Sequence, residues 1–265
     1  LDFARLTSLL AVLAMVTVLS LLPLLLVVSG LKELNGLSSA SSEIADFVEK
    51  NAPKGDIDAA LDAFIRFSEQ NQLGMHLGVQ KGQTILDSVV KGKPDIGPVV
   101  VLELGCHAGD GTLSIFKALK DRPGSKIIST ETNKEWLKAA KRIVAHAGHG
   151  SRVQWIPLLL PEKIDFSDFL KKAKDDYQLQ SFDSMVFDHE EKLFLPYLKT
   201  ILEQKMLRVG GTVQIDNVKR KASALAKYLD FVKPGRNGFS TRVIQVDEPY
   251  PDAVAISQFL EIAEL

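Results

Sequence analysis

Two acidic clusters lie about thirty residues apart in this chain: Asp188-His189, after Ser184-Met185-Val186-Phe187, and Asp216-Asn217, after Gly210-Gly211-Thr212-Val213-Gln214-Ile215. Each follows a short apolar run that reads as a buried strand. Both clusters are therefore expected at the C-terminal ends of strands, the edge where open α/β sheets bind ligands. Two carboxylates and an amide oxygen make a hard donor set suited to Mg²⁺. The simpler reading of Asp216-Asn217 is a cap for the following helix.

A second constellation lies upstream. Val99-Val100-Val101-Leu102-Glu103-Leu104 leads into Gly105-Cys106-His107-Ala108-Gly109-Asp110-Gly111-Thr112, a strand, a glycine-rich turn and a helix start. Glycine lets the backbone fold tightly and approach a ligand closely. The loop lacks the spacing and the lysine of a phosphate-binding P-loop. Its glycines are separated by three residues and then one, unlike a dinucleotide fingerprint. The next strand ends at Glu131, whose carboxylate suits a pair of ribose hydroxyls. The spacing favours an S-adenosylmethionine (SAM) site, with another nucleotide or a purely structural turn as alternatives.

Taken in order, these segments carry a family resemblance. From Met75 to about Val232 the chain resembles the catechol O-methyltransferase family of Mg²⁺- and SAM-dependent enzymes. The matching stretches are Met75-x-x-Gly78-x-x-Lys81-Gly82, Leu102-Glu103-Leu104-Gly105, Glu131-x-Asn133, Met185-Val186-Phe187-x-Asp188-His189 with one residue fewer before the Asp, and Gly211-Thr212-Val213 leading to Asp216-Asn217-Val218. The resemblance implies Asp188, Asp216 and Asn217 as metal ligands. It implies Glu131 at the SAM ribose, Glu103 behind the methionine part, and Leu77, Gly105, His107, Gly109, Gly111, Asp188 and His189 around the cofactor. His189 also reads as a solvated loop residue. Met75 and Glu248 fall on the substrate side.

Several positions depart from the family pattern. The general base is a lysine three residues after the first metal-binding Asp; here Glu191 stands there, with Lys192 next, so either is the candidate base. Glu190 replaces the aromatic residue beside the adenine, and Leu160-Pro161 replaces a Ser-Gln pair. Leu73 stands where a tryptophan wall is expected, which weakens stacking on a flat ring. Lys219-Arg220-Lys221 follows Asn217-Val218 and suits an acidic substrate or an anionic surface, unless it is simply a solvated charge run.

The elements that must position these residues follow an alternating pattern. Helices are expected at Glu43–Lys50, Ile57–Gln70 (with Asp56 as N-cap), Thr112–Lys120, from Asn133 to Ala147, Phe166–Asp176, Leu193–Leu207 and Ala222–Val232. Strands are expected at Val99–Leu104, Lys126–Thr130, Val153–Ile156, Phe182–Phe187, Thr212–Ile215, Thr241–Val246 and Val254–Phe259. Such βα alternation predicts a Rossmann-like, doubly wound α/β sheet of seven mostly parallel strands with an antiparallel edge. That domain is expected over residues 43–265, after a linker at 31–42.

Leu6–Val28 is uncharged and almost wholly apolar. As a helix it would reach about 35 Å, enough to span a bilayer core, so residues 1–30 read as a single-pass membrane anchor. Its small residues Ala11, Ala14 and Ser20 would allow packing against other membrane subunits. The 265 residues carry a net charge of −1, which gives no basic excess for nucleic acid. The single cysteine, Cys106, excludes an intrachain disulfide framework and a cysteine-based zinc site. Two function classes remain: a membrane-anchored O-methyltransferase acting on a small molecule with vicinal oxygens, or a methyltransferase-fold subunit without catalysis in a membrane complex.

Overall fold

The computed structural model describes residues 40–91, 93, 97–148, 151–161 and 164–261. The expected anchor at Leu6–Val28 lies outside the described residues. Among those described, no helix is long and apolar enough to cross a membrane. Helix α1 covers residues 40–51 and so begins inside the stretch expected as linker. Helix α2, Ile57–Gln70, has the expected bounds, and the Asp56 carboxylate caps it by accepting from the Ala59 amide at 2.9 Å.

Seven strands follow: β1 Val100–Leu104, β2 Lys126–Glu131, β3 Gln154–Leu159, β4 Phe182–Phe187, β5 Leu207–Ile215, β6 Phe239–Val246 and β7 Asp252–Phe259. They form one sheet in the order β3-β2-β1-β4-β5-β7-β6. Strands β1 to β5 run parallel, and β7 joins β5 and β6 antiparallel. This is the expected Rossmann-like sheet with an antiparallel edge. Chain order reverses between β1 and β4, and the crevice at such a switch point is where α/β sheets hold ligands.

Helices α3 (Gly78–Val90), α4 (Asp110–Leu119), α5 (Lys134–Ala147), α6 (Phe166–Tyr177), α7 (Phe194–Glu203) and α8 (Ala222–Phe231) complete the fold. Because strand side chains alternate between faces, β1 feeds two cores. Val101 packs with α1 to α5, including Phe64, Ile85, Leu113 and Ile143. Leu102 and Leu104 pack on the other face with Phe169, Leu198, Leu225 and Tyr228 of α6, α7 and α8. Burial on both faces explains why β1 reads as an unbroken apolar run.

The structure departs from the sequence expectation in two elements. Helix α3 has no counterpart in the predicted pattern. Its buried face mixes Ile85 and Val89 with Lys81, Thr84 and Ser88, so the apolar stripe that marks an amphipathic helix is broken. The helix expected to reach Leu207 ends at Glu203, and Leu207 opens β5. Between Phe182↔Leu207 and Ser184↔Thr212 the register with β4 shifts, and Val209-Gly210-Gly211 hides that irregular stretch from a periodicity reading.

The β1 loop lies directly on the end of β4. Gly105 has φ +89°, and a Cβ placed on it would sit 2.1 Å from the Asp188 carbonyl oxygen. A left-handed backbone costs an alanine about 1–2 kcal/mol, and overpacking adds about 1–3 kcal/mol. Gly105→Ala should therefore lower unfolding free energy by roughly 3 kcal/mol in urea titration; a change near zero would refute this close approach.

Candidate functional site

A cavity of about 900 Å³ opens at the C-terminal edge of the sheet over the β1/β4 switch point. Each central strand delivers a residue to it: Gly105 after β1, Glu131 at the end of β2, Asp188 after β4, and Asp216 with Asn217 after β5. Its size lies within the usual range of small-molecule sites, about 300–1,000 Å³.

The metal candidates converge as the sequence suggested. Asp188 and Asp216 both have raised pKa values. For Asp188, well above the carboxylate range, burial is the main cause, followed by the charges of Asp216 and Asp110, with Lys81 opposing. For Asp216, burial outweighs the opposing Lys81 charge. Asn217 holds φ +60°, a left-handed conformation that asparagine tolerates, and it lines the cavity beside them.

Lys81 and Asp252 were not foreseen at this site. The Lys81 ammonium, 1% exposed, lies 2.9 Å from Asp216 and 3.0 Å from Asp252. Burial alone would lower its pKa, but the Asp216 charge and hydrogen bonds to Asp216 and Asp252 raise it overall. Asp252 is also buried, which opposes ionisation, yet the Ala253 amide, Lys81 and the Arg220 amide depress its pKa. Asp252 Oδ1 also accepts from the Lys219 and Arg220 amides at 3.1 and 3.2 Å. Lys81 stood within the quoted Met75–Gly82 motif, whereas Asp252 carries no local signal beyond opening a strand.

Two carboxylates thus meet one ammonium and Asp188 stands near them, so an excess of negative charge remains when all are ionised. Asp216 Oδ1 lies near Lys81 but makes no hydrogen bond. Hard oxygen donors and excess negative charge fit a divalent cation in chemistry. Among the described residues, no group of three or more His, Cys, Asp or Glu is arranged to hold a metal; the set here needs the Asn217 amide.

On the other side of the cavity, Glu131 accepts from the amides of His107, Thr132 and Asn133 at 2.8–2.9 Å. Glu103 lies behind the loop, fully buried. It accepts from Thr112 Oγ1 at 2.6 Å and from Ser129 Oγ, and burial pushes it up to about 7 against those hydrogen bonds. A Cβ on Gly111 would meet Glu103 Oε1 at 2.6 Å, so that glycine makes room for a carboxyl group of the protein itself. Gly109 begins α4 at φ +103°. Of the loop residues expected around the cofactor, Gly105 and His107 line the cavity, and Gly109 and Gly111 are buried outside its lining. Leu77 is buried in the wall with its amide on Asp110 Oδ2 at 2.8 Å, and Met75 is exposed at the rim.

Two imidazoles complete this half. His107 packs on Trp136 with ring centroids 3.9 Å apart, and His189 stacks on Tyr197 at 5.3 Å. Burial lowers both to about 4, so both are neutral at physiological pH. Both ring nitrogens of His107, with His76 Nδ1, are buried without a hydrogen-bond partner, whereas His189 has a hydrogen-bonding group in the Leu104 backbone. Buried polar groups normally have partners. Concentration of such atoms around one cavity fits a polar ligand there. Cys106 is buried, and burial pushes its thiol far up, so it is no nucleophile.

The two candidate bases separate. Glu191 lines the cavity, with Lys221 Nζ 3.3 Å from its Oε1. The Lys192 side chain is 71% exposed, pairs with Glu190 at 2.6 Å, and is absent from the lining. Glu248 is solvent-exposed and also outside the lining, whereas its neighbour Tyr250 faces the cavity.

A family model described as O-methyltransferase matches residues 57–233. Catechol O-methyltransferase B of Danio rerio is 28% identical over 200 residues, covering 76% of this chain and 70% of that protein. The transmembrane O-methyltransferase homolog of Rattus norvegicus is 28% identical over 172 residues, 65% of this chain and 62% of that protein. Among solved structures, the O-methyltransferase from Bacillus cereus in complex with SAH aligns with a TM-score of 0.60 at 18% identity, covering 76% of this chain and 91% of that one. That last likeness is one of fold.

The buried cluster yields a stability prediction. Lys81→Met removes the cation between Asp216 and Asp252, and breaking such a buried pair costs about 3–5 kcal/mol. The stranded carboxylates would have raised folded-state pKa values. Their protonation therefore favours the folded form at low pH, and the deficit grows as pH rises. Urea titrations at pH 5 and pH 7.5 should show the larger loss at pH 7.5; an equal loss at both would show that Lys81 contributes packing rather than charge.

Proposed function

Because this chain belongs to the O-methyltransferase family, we propose that it transfers a methyl group from SAM to a small substrate carrying two vicinal oxygens, with Mg²⁺ held by Asp188, Asp216 and Asn217. The observation that carries this reading is the meeting of those three residues with Glu131 and the Gly105 loop in one cavity at the sheet switch point. When bound, SAM supplies an electrophilic methyl group and Mg²⁺ stabilises the ionised form of a substrate hydroxyl.

The chain's own residues would do the rest. Glu131 has lone pairs left after its three amide bonds and suits the ribose hydroxyls. His107, neutral and unpartnered, offers a donor and an acceptor nitrogen at the cofactor end. Asp188, Asp216 and Asn217 would fix two substrate oxygens, so most of the acceleration comes from positioning and charge stabilisation. Glu191 is the base favoured by geometry, because it alone of the two candidates reaches the cavity. The membrane attachment through Leu6–Val28 belongs to the same proposal, supported by the apolar length of that segment and by the name of the rat relative.

Calorimetry of the protein with SAM and Mg²⁺ should show micromolar SAM binding. Asp188→Ala should reduce methyl transfer to a catechol panel by about 100-fold or more. Absence of SAM binding would instead favour the non-catalytic subunit. Unchanged turnover in Asp188→Ala would remove the metal assignment.

The base assignment has its own test. Glu191→Gln should slow transfer by on the order of 100-fold, while Lys192→Met should stay within about twofold of wild type, as expected outside the site. The reverse ranking would move the role to Lys192, and two near-neutral variants would mean that neither residue takes the proton.

A further inference from the structure

The turn between β5 and α8 places a cation in the cavity wall that the proposed reaction does not use. Arg220 lines the cavity, and its guanidinium carbon stands 4.0 Å over the Tyr250 ring centroid. Lys221 is engaged with Glu191, and Lys192 with Glu190. Among the described residues, Arg220 forms no ion pair, and its flat donor fork is free in the wall.

Its position is tied to the acidic floor. The Lys219 and Arg220 amides donate to Asp252 Oδ1, while Asp252 Oδ2 binds Lys81, which binds Asp216. Lys81 Nζ lies 4.7 Å from the same Tyr250 ring centroid. Two cations therefore share one ring, the buried one holding a candidate metal ligand and the outer one open to the cavity. The separation of Arg220 from Lys81 cannot exceed the sum of their two distances to that ring. A molecule seated on Asp188, Asp216 and Asn217 thus has a cation close by in the same cavity.

Resting on the methyl-transfer reading of this cavity, we propose that the substrate is a vicinal diol on a ring that also carries a carboxylate, and that Arg220 receives the carboxylate. Guanidinium geometry matches a carboxylate through two parallel hydrogen bonds. Stacking on Tyr250 holds the fork in place, so less freedom is lost on binding.

The test is calorimetric titration of the full chain in detergent, with SAM and Mg²⁺ present, by 3,4-dihydroxybenzoate and by neutral 4-methylcatechol. The carboxylate ligand should bind about tenfold tighter or better, as one charged hydrogen-bonded contact allows. Arg220→Gln should cut that ratio to about threefold or less, Arg220→Lys should leave an intermediate ratio because a point charge lacks the fork, and Tyr250→Phe should keep it. Equal affinity for both diols in the wild type overturns the proposal. So does an unchanged ratio in Arg220→Gln, or failure of both diols to bind. Methyl transfer measured in parallel separates the two readings. Carboxylate preference without transfer retains Arg220's role and overturns the activity. Transfer to both diols with equal KM retains the activity and overturns Arg220's role.

Discussion

The Lys81 ammonium ties together elements that have no backbone pairing with α3. It sits on α3, and its two partners lie after β5 and at the start of β7. A buried lysine is stable only when its charge is compensated and its protons are donated. Two carboxylates at 2.9 and 3.0 Å meet that need, and they are in turn held where a site requires them. The same helix continues the link inward: Ser88 Oγ donates to Gln214 Oε1, and Gln214 Nε2 donates to Thr84 Oγ1. A polar seam therefore runs along α3 against β5. Such seams constrain register more sharply than apolar contacts, because a slipped pair leaves a buried polar group without a partner.

That seam explains why the floor of the cavity can carry so much acid. Asp188 and Asp216 repel one another and are both raised, and without Lys81 a third carboxylate at Asp252 would add to the conflict. With it, Asp252 stays in the low range and acts as a hub for Lys81 and the Lys219–Arg220 backbone. The fold thus spends one carboxylate on architecture and leaves two facing the cavity. The opposite half of the cavity is built on the same logic with neutral groups. Glu131 is braced by three amides, and His107 and His189 are held by aromatic rings, His107 with both ring nitrogens left unpartnered.

Much of this was legible in the sequence because it depends on short-range pattern. Strands β1 and β4 are buried on both faces and read as apolar runs, and the residues just beyond them must fall at one sheet edge. Asp56 and Asn133 announce helix starts through side-chain caps, and both do so in the structure. What escaped depends on long-range pairing. Helix α3 hides a buried lysine, a threonine and a serine on its inner face because their partners lie more than 120 residues away. Asp252 looks like an ordinary strand-opening residue until its partners are in view, and Glu248, the more conspicuous acid, points to solvent. The choice between Glu191 and Lys192 was open because spacing places them side by side. The structure separates them through the 3₁₀ turn Glu191–Leu193, in which consecutive side chains point about 120° apart. Glu191 faces the cavity, and Lys192 turns out to solvent and to Glu190.

Charges of both signs line the cavity, and most of the cations there are already paired. Asp188 and Asp216 face the cavity with Asp252 behind them on Lys81, while Arg220 and Lys221 stand on the wall beside Glu190 and Glu191. A low-dielectric cavity strengthens such a field relative to bulk water. A metal cation suits the floor and a carboxylate suits Arg220, so a diol that reaches both has one favourable orientation. In the catechol-binding relatives' pattern an aromatic wall was expected to grip the ring by stacking. Here Leu73 stands at the aromatic position, and Tyr250 spends its face on Arg220 and Lys81. Orientation by charge takes over part of what stacking would supply, and it does so with residues whose backbone is already pinned to the metal-side carboxylates through Asp252.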